Sequence, residues 1–137
     1  MPDLMSIDPY DKSFIFDIPF NSHYLNELYD GDYIMIEETF TDVLKEYDPL
    51  LQQVYSCYRS DNIPALKSAV HKIKPLLGYT GMTDLQSQCL EFENACQQGR
   101  FPSLDADFAS LSANLSGAKA LIEKEKERLS QYIQNLG

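Results

Sequence analysis

The sequence predicts an all-α protein, an antiparallel up-down four-helix bundle with a short extra N-terminal helix. Apolar residues recur at steps of three and four along most of the chain, and no alternating pattern of useful length predicts a strand. Connections of a few residues separate the amphipathic segments, which favours antiparallel neighbours. The 137 residues, 44% of them apolar, fit one domain.

The chain is predicted to consist of two regions, a lead-in over residues 1–22 and a helical bundle domain over residues 23–137. The lead-in is expected to be irregular, and its apolar stretch FIFDIPF can pack on the core. A short helix is predicted near residues 24–29, ending at Asp30 and Gly31, where glycine supplies a left-handed cap.

The second helix is predicted to start at an Asp32 cap and to be long. Pro49 lies inside it and removes one backbone hydrogen bond, so we predict a kink near residues 47–48. Its buried stripe consists of Ile36, Phe40, Val43, Tyr47, Leu51, Val54 and Tyr58.

Three more helices are predicted, with caps at Asp61 or Asn62, at Thr83 and at Ser103. Pro64 fits the first turn of the third helix, and Gly99 is the predicted end of the fourth. The fourth helix has the apolar stripe Leu85, Cys89, Phe92 and Cys96, and the fifth has Leu104, Phe108, Leu111, Leu115, Ala118 and Ile122.

Composition argues against several classes of function. The net charge of −10 disfavours binding to a nucleic-acid backbone. No apolar run approaches the roughly 20 residues of a membrane span, and the N-terminal residues lack the features of a secretory signal, so we expect a cytoplasmic protein without a membrane partner. Three cysteines are expected to be reduced core residues, and no metal site is predicted from their spacing.

His71 stands in a segment without any acidic residue, between Asp61 and Asp84, although the chain has 21 acids. On a helical wheel it lies roughly 145° from the centre of the apolar arc of the third helix, so its ring is predicted to face solvent. The residues at −4, +3, +4 and +7 share its face: Lys67, Lys74, Pro75 and Gly78.

This pattern suits a nucleophilic imidazole that accepts an anionic group from a bulky donor. The lysines supply positive charge, while Pro75 and Gly78 leave the ring accessible. General acid–base catalysis fits poorly, because no carboxylate on this face is available to orient His71. An ordinary surface histidine remains an alternative.

The stretch HKIKPLLGYTG resembles the signature of histidine-containing phosphotransfer (HPt) domains, through His71, Ile73, Lys74 and Gly81, with Gly78 also common there. The segments YLNELYDGDYIMIEETFTDVL and LQSQCLEFENACQQGR are similar to other parts of that family, so the resemblance spans residues 24–100. Pro75 departs from the small residue usual at its position, and we predict a bend just after His71.

The resemblance implies a phosphoryl carrier rather than a self-sufficient enzyme, in a two-component phosphorelay. His71 would accept the phosphoryl group through its outer nitrogen. Lys74, with Lys67 beside it, would hold the phosphoryl oxygens, and Lys67, Pro75 and Gly78 would contact the partner. The implied partners are response-regulator receiver domains, free-standing or in a hybrid histidine kinase. The chain would be a monomer that needs no cofactor of its own, because the Mg²⁺ belongs to the receiver.

Two other classes remain open. The phosphoacceptor helix of a sensor kinase also carries an exposed histidine, but the residue after it is usually an acid, whereas here it is Lys72, and 66 residues after His71 leave no room for a kinase domain. A helical adaptor that binds signalling partners without chemistry would show no effect specific to the imidazole.

Overall fold

The computed structural model describes residues 14–99 and 101–136, and most of these residues are helical. The helices are α1 (Ser22–Leu28), α2 (Tyr33–Arg59), α3 (Ile63–Tyr79), α4 (Thr83–Gln98) and α5 (Phe101–Leu136). The described residues contain no strand. The all-α prediction and the order of the helices are therefore confirmed, while the first 13 residues of the predicted lead-in lie outside the described part of the chain.

The four long helices form a closed ring in which α2 packs on α3, α3 on α4, α4 on α5 and α5 on α2. Side-chain contacts show that α2 and α5 run antiparallel. Tyr33, at the start of α2, meets Tyr132 near the end of α5, whereas Tyr58, near the end of α2, stacks on Phe108. The predicted up-down bundle with a short first helix is confirmed.

Helix caps agree only partly with the sequence prediction. Asp32 caps α2 and Asn62 caps α3, each by accepting a hydrogen bond from a backbone N–H three residues later, and Gly99 ends α4 in the left-handed conformation. The caps predicted at Thr83 and Ser103 are wrong. Met82 precedes α4 without a side-chain cap, since its thioether is only a weak hydrogen-bond acceptor, and its backbone N–H donates to the Leu77 carbonyl at the end of α3. Helix α5 has already begun before Ser103.

Neither interior proline ends its helix. Pro49 and Pro75 lie within α2 and α3, which continue through them. Both prolines are exposed, so the carbonyl that each leaves unpaired is on a side that water can reach. The bends predicted near these positions stay predictions.

Residues 14–21 contain no helix or strand, as predicted for the lead-in, yet they belong to the core. Phe14, Phe16 and Phe20 are at most 6% exposed. The last two rings pack against Phe40 of α2, with centroids 6.1 and 5.9 Å away. The backbone N–H of Asn21 donates to the Gly81 carbonyl, which ties the lead-in to the turn after α3.

A buried acid on α5 also holds the lead-in in place, through a hydrogen bond to the lead-in backbone. Glu125 is 2% exposed and accepts hydrogen bonds from the Asp17 backbone N–H, at 2.6 Å, and from the Arg128 guanidinium. Arg128 also donates to the Ile15 carbonyl and lies over the Phe14 ring. We call Glu125 and Arg128 the clasp.

Candidate functional site

His71 lies near the middle of α3, and its side chain is 67% exposed. The predicted exposure is confirmed. Its ring is nevertheless held in place, because Nδ1 lies 2.8 Å from Oε1 of Glu93, which belongs to α4. Within the described residues no hydrogen bond involves Nε2 of His71.

Glu93 is a buried carboxylate that serves two partners. Its side chain is only 7% exposed, and its second oxygen, Oε2, lies 2.7 Å from Nζ of Lys74. That separation makes an ion pair, although its angle is not that of a regular hydrogen bond. The paired ammonium offsets the cost of burying a charge at this position.

The prediction that no carboxylate could orient His71 is wrong. It considered only the face of α3, whereas the acid comes from the neighbouring helix. The sequence did contain a signal: Glu93 is four residues after Cys89 and three before Cys96, so it falls on the buried stripe of α4. An acid at such a position needs a partner, and the register of two helices decides which partner it meets.

The Glu93 contact selects one tautomer of the neutral imidazole. A carboxylate only accepts hydrogen bonds, so Nδ1 carries the proton and donates it to Glu93. Nε2 then keeps an unshared electron pair. The arrangement holds the ring in one orientation, with the unprotonated nitrogen on the far side of the ring from the acid.

The two predicted lysines lie near His71, but both have partners on α4. Lys74 is 18% exposed and is paired with Glu93, while Lys67 Nζ donates to Oε1 of Gln97 at 2.7 Å. Lys67 makes no ion pair with a carboxylate in the described part of the chain. Lys74 therefore helps to position the carboxylate that holds the His71 ring, and it is also a cation near that ring.

Pro75 and Gly78 differ in their surroundings. Pro75 is exposed one turn after His71, as expected. Gly78 was predicted to lie on the exposed face, and this is wrong, since it is buried beneath Gln86 of α4. A Cβ atom at Gly78 would stand 2.5 Å from the Gln86 amide nitrogen, so the missing side chain makes room for a residue of this protein's own fourth helix.

An open groove of about 530 Å³ adjoins His71 between the first half of α3 and the last turns of α4. His71 and Glu93 stand at one part of its wall. The other lining residues are Ile63, Pro64, Lys67, Ser68, Cys96 and Gln97.

The buried thiols add no charge beside this site at neutral pH. Burial raises the pKa of the Cys89 thiol to about 12, and the nearby charge of Glu93 acts in the same direction. Burial also raises the pKa of Cys96. Among the described residues, no group of three or more histidines, cysteines or acids is arranged to hold a metal ion. The same residues include no helix long and apolar enough to span a membrane.

A model of the Hpt domain family matches residues 38–136, more than two thirds of the chain. No curated protein and no solved structure matches significantly. The matched region includes α3, α4 and α5, and hence His71 and Glu93.

Proposed function

Because the chain belongs to the Hpt domain family, which acts in histidine phosphotransfer within phosphorelays, we propose that His71 is the residue that carries the phosphoryl group. Its donor and acceptor are receiver domains that hold the group as an aspartyl phosphate. The observation that carries this proposal is the 2.8 Å contact between Nδ1 of His71 and the Glu93 carboxylate, on an otherwise exposed ring.

The transfer step needs no proton at the attacking atom. The Nε2 electron pair attacks phosphorus, the N–P bond forms, and the bond from phosphorus to the aspartyl oxygen breaks, releasing the receiver carboxylate. The imidazole becomes positively charged and keeps its Nδ1 proton. The reverse sequence returns the group to another receiver, and the Mg²⁺ that assists the chemistry is bound by the receiver.

Glu93 acts on this step through the ring. It holds the imidazole in the tautomer that exposes the Nε2 electron pair, and its negative charge faces the ring that becomes cationic as the N–P bond forms. Lys74 holds the Glu93 carboxylate in place through their 2.7 Å contact. The remaining N–H groups of Lys74 and Lys67 are available to the phosphoryl oxygens.

The decisive experiment incubates the protein with a receiver domain that carries ³²P-labelled aspartyl phosphate. We expect label on the wild-type protein and none on His71→Gln. His23→Gln is the matched control, since His23 is the other histidine and is exposed on α1, where its Nε2 lies 3.3 Å from Oε1 of Glu27. Full labelling of His71→Gln with unchanged helicity would remove His71 from the reaction, and an adaptor without chemistry would take up no label in any variant.

A further inference from the structure

A second open pocket, of about 370 Å³, lies where the ends of α1 and α3 meet α2. It shares no lining residue with the groove beside His71. The residues that line it are Tyr29, Thr39, Asp42, Val43, Glu46 and Tyr79. Those from α2 are three and four residues apart, so they share one face of that helix.

Two of the lining residues are tyrosines, and one of them is fixed in place. The Tyr29 hydroxyl donates to the Tyr79 carbonyl at 2.7 Å, which holds the Tyr29 ring at the end of α3. Tyr79 is 50% exposed, although its ring is a large apolar surface. The face of an exposed tyrosine ring carries negative charge density and attracts cations. The pocket therefore offers an aromatic surface to a positively charged group.

The acidic lining residues are short of cationic partners. Neither a lysine nor an arginine lines the pocket. Asp42 has only the exposed Lys45 ammonium at 4.0 Å, and Glu46 makes no ion pair within the described part of the chain. Residues 27–48 contain eight acids and one lysine, and so account for seven of the ten net negative charges of the protein. This acidic surface extends well beyond the pocket and favours a ligand with several positive charges.

We propose that the pocket binds an arginine side chain from a basic segment of a partner protein, with the guanidinium between the Tyr79 ring and the Glu46 carboxylate. A planar guanidinium stacks on an aromatic face and donates two parallel hydrogen bonds to a carboxylate, whereas an ammonium does neither. The acidic surface around the pocket receives the other positive charges of the same segment. The inference goes beyond the proposed function, since it involves neither His71 nor phosphoryl transfer.

The test uses a capped peptide of four arginines, titrated into ¹⁵N-labelled protein at about 0.15 M salt, where the Debye length is about 8 Å. Glu46→Gln removes the charge from the pocket. Glu38→Gln is the matched control, because Glu38 is an exposed acid of the same helix that lies outside the pocket, about 12 Å away along the axis. Tyr79→Leu removes the aromatic ring, whereas Tyr79→Phe keeps it. Circular dichroism checks that each variant is folded.

We expect the peptide to shift the amide signals of Val43 and Tyr79. Glu46→Gln and Tyr79→Leu should each weaken binding about three- to fivefold, as for the loss of one exposed ion pair or cation–π contact. Glu38→Gln and Tyr79→Phe should each change it less than about 1.5-fold, because the first acid is screened and the second variant keeps its ring. Equal effects of Glu46→Gln and Glu38→Gln would show diffuse attraction to the acidic surface and overturn the site.

A comparison of cations addresses other occupants. A capped peptide of four lysines should bind more weakly than the arginine peptide, and spermine should leave the Val43 and Tyr79 signals nearly unshifted. Equal binding of the lysine peptide, or equal shifts with spermine, would identify a simple site for polycations and overturn the inference. Because no step of this experiment involves His71, its failure leaves the proposed function intact.

Discussion

The Glu93 carboxylate lies between the His71 imidazole N–H and the Lys74 ammonium, and it interacts with each in a different way. His71 needs an acceptor at Nδ1, which a neutral amide can also supply. Lys74 needs a negative charge, which an amide lacks. Substitutions of Glu93 can therefore separate its effect on the tautomer from its effect on charge.

On the proposed function, we predict that Glu93→Leu slows phosphoryl transfer to His71 by about 10–100-fold, by analogy with the loss of the hydrogen-bond partner that orients a metal-ligating histidine. Glu93→Gln should slow it less, since its amide oxygen can still accept from Nδ1. Single-turnover transfer gives the rates, and ¹⁵N NMR of the imidazole reports the tautomer. A Glu93→Leu protein with the parent rate and the parent tautomer would show that Glu93 does not position the ring.

A second prediction at this scale compares two neighbouring lysines. Lys74→Ala leaves the buried Glu93 charge without its ion-pair partner, so we expect a free energy of unfolding lower by about 2 kcal/mol together with slower transfer. Lys72→Ala is the control, because Lys72 is exposed and lies on the side of α3 away from Lys74. Urea unfolding and transfer rates distinguish them, and equal behaviour of both variants and the parent would exclude Lys74 from the site.

At the scale of helices, the sequence predicted the elements well but not their contacts. The apolar stripe of α2 is buried as predicted from Ile36 to Val54, because period and burial are properties of one helix. Contacts between helices depend on the register and rotation of one helix relative to another, and the apolar stripe of a single helix does not determine these. For this reason the exposed ring of His71 was predicted, whereas Glu93 behind it and Gln86 above Gly78 were not.

The close packing of α3 on α4 at Gly78 leads to a third prediction. Alanine in place of glycine stabilises a helix interior by about 0.5–1 kcal/mol, but here its Cβ must displace the end of the Gln86 side chain. Gly78→Ala alone should therefore change stability little. In a Gln86→Ala background the same substitution should raise the free energy of unfolding by about 0.5–1 kcal/mol. Urea unfolding of the four proteins tests this coupling, and an equal effect in both backgrounds would contradict it.

For the whole molecule, the domain is larger than the part that matches the family. The match begins at residue 38, whereas the core includes Phe14, Phe16 and Phe20 from the lead-in. The apolar stretch was visible in the sequence, but its docking depends on Glu125 and Arg128, which are more than a hundred residues away. No local pattern could have indicated that pairing.

Arg128→Ala tests whether the clasp holds the lead-in on the bundle. Among the described residues, the substitution leaves the buried Glu125 carboxylate with the Asp17 N–H as its one hydrogen-bond donor, so we expect a loss of about 3 kcal/mol in the free energy of unfolding. Arg59→Ala is the control, since Arg59 is exposed at the end of α2 and its substitution should cost less than about 0.5 kcal/mol.

Hydrogen exchange should show faster exchange of the Phe16 and Asp17 amides, whose N–H groups are bonded to Ser22 and Glu125. Labelling of the folded protein by phosphoramidate, a small phosphoryl donor, should not change, because the clasp belongs to α5 and the lead-in phenylalanines pack against α2 and α5, whereas His71 and Glu93 lie on α3 and α4. Parent stability and parent exchange rates in Arg128→Ala would show that the buried phenylalanines alone anchor the lead-in.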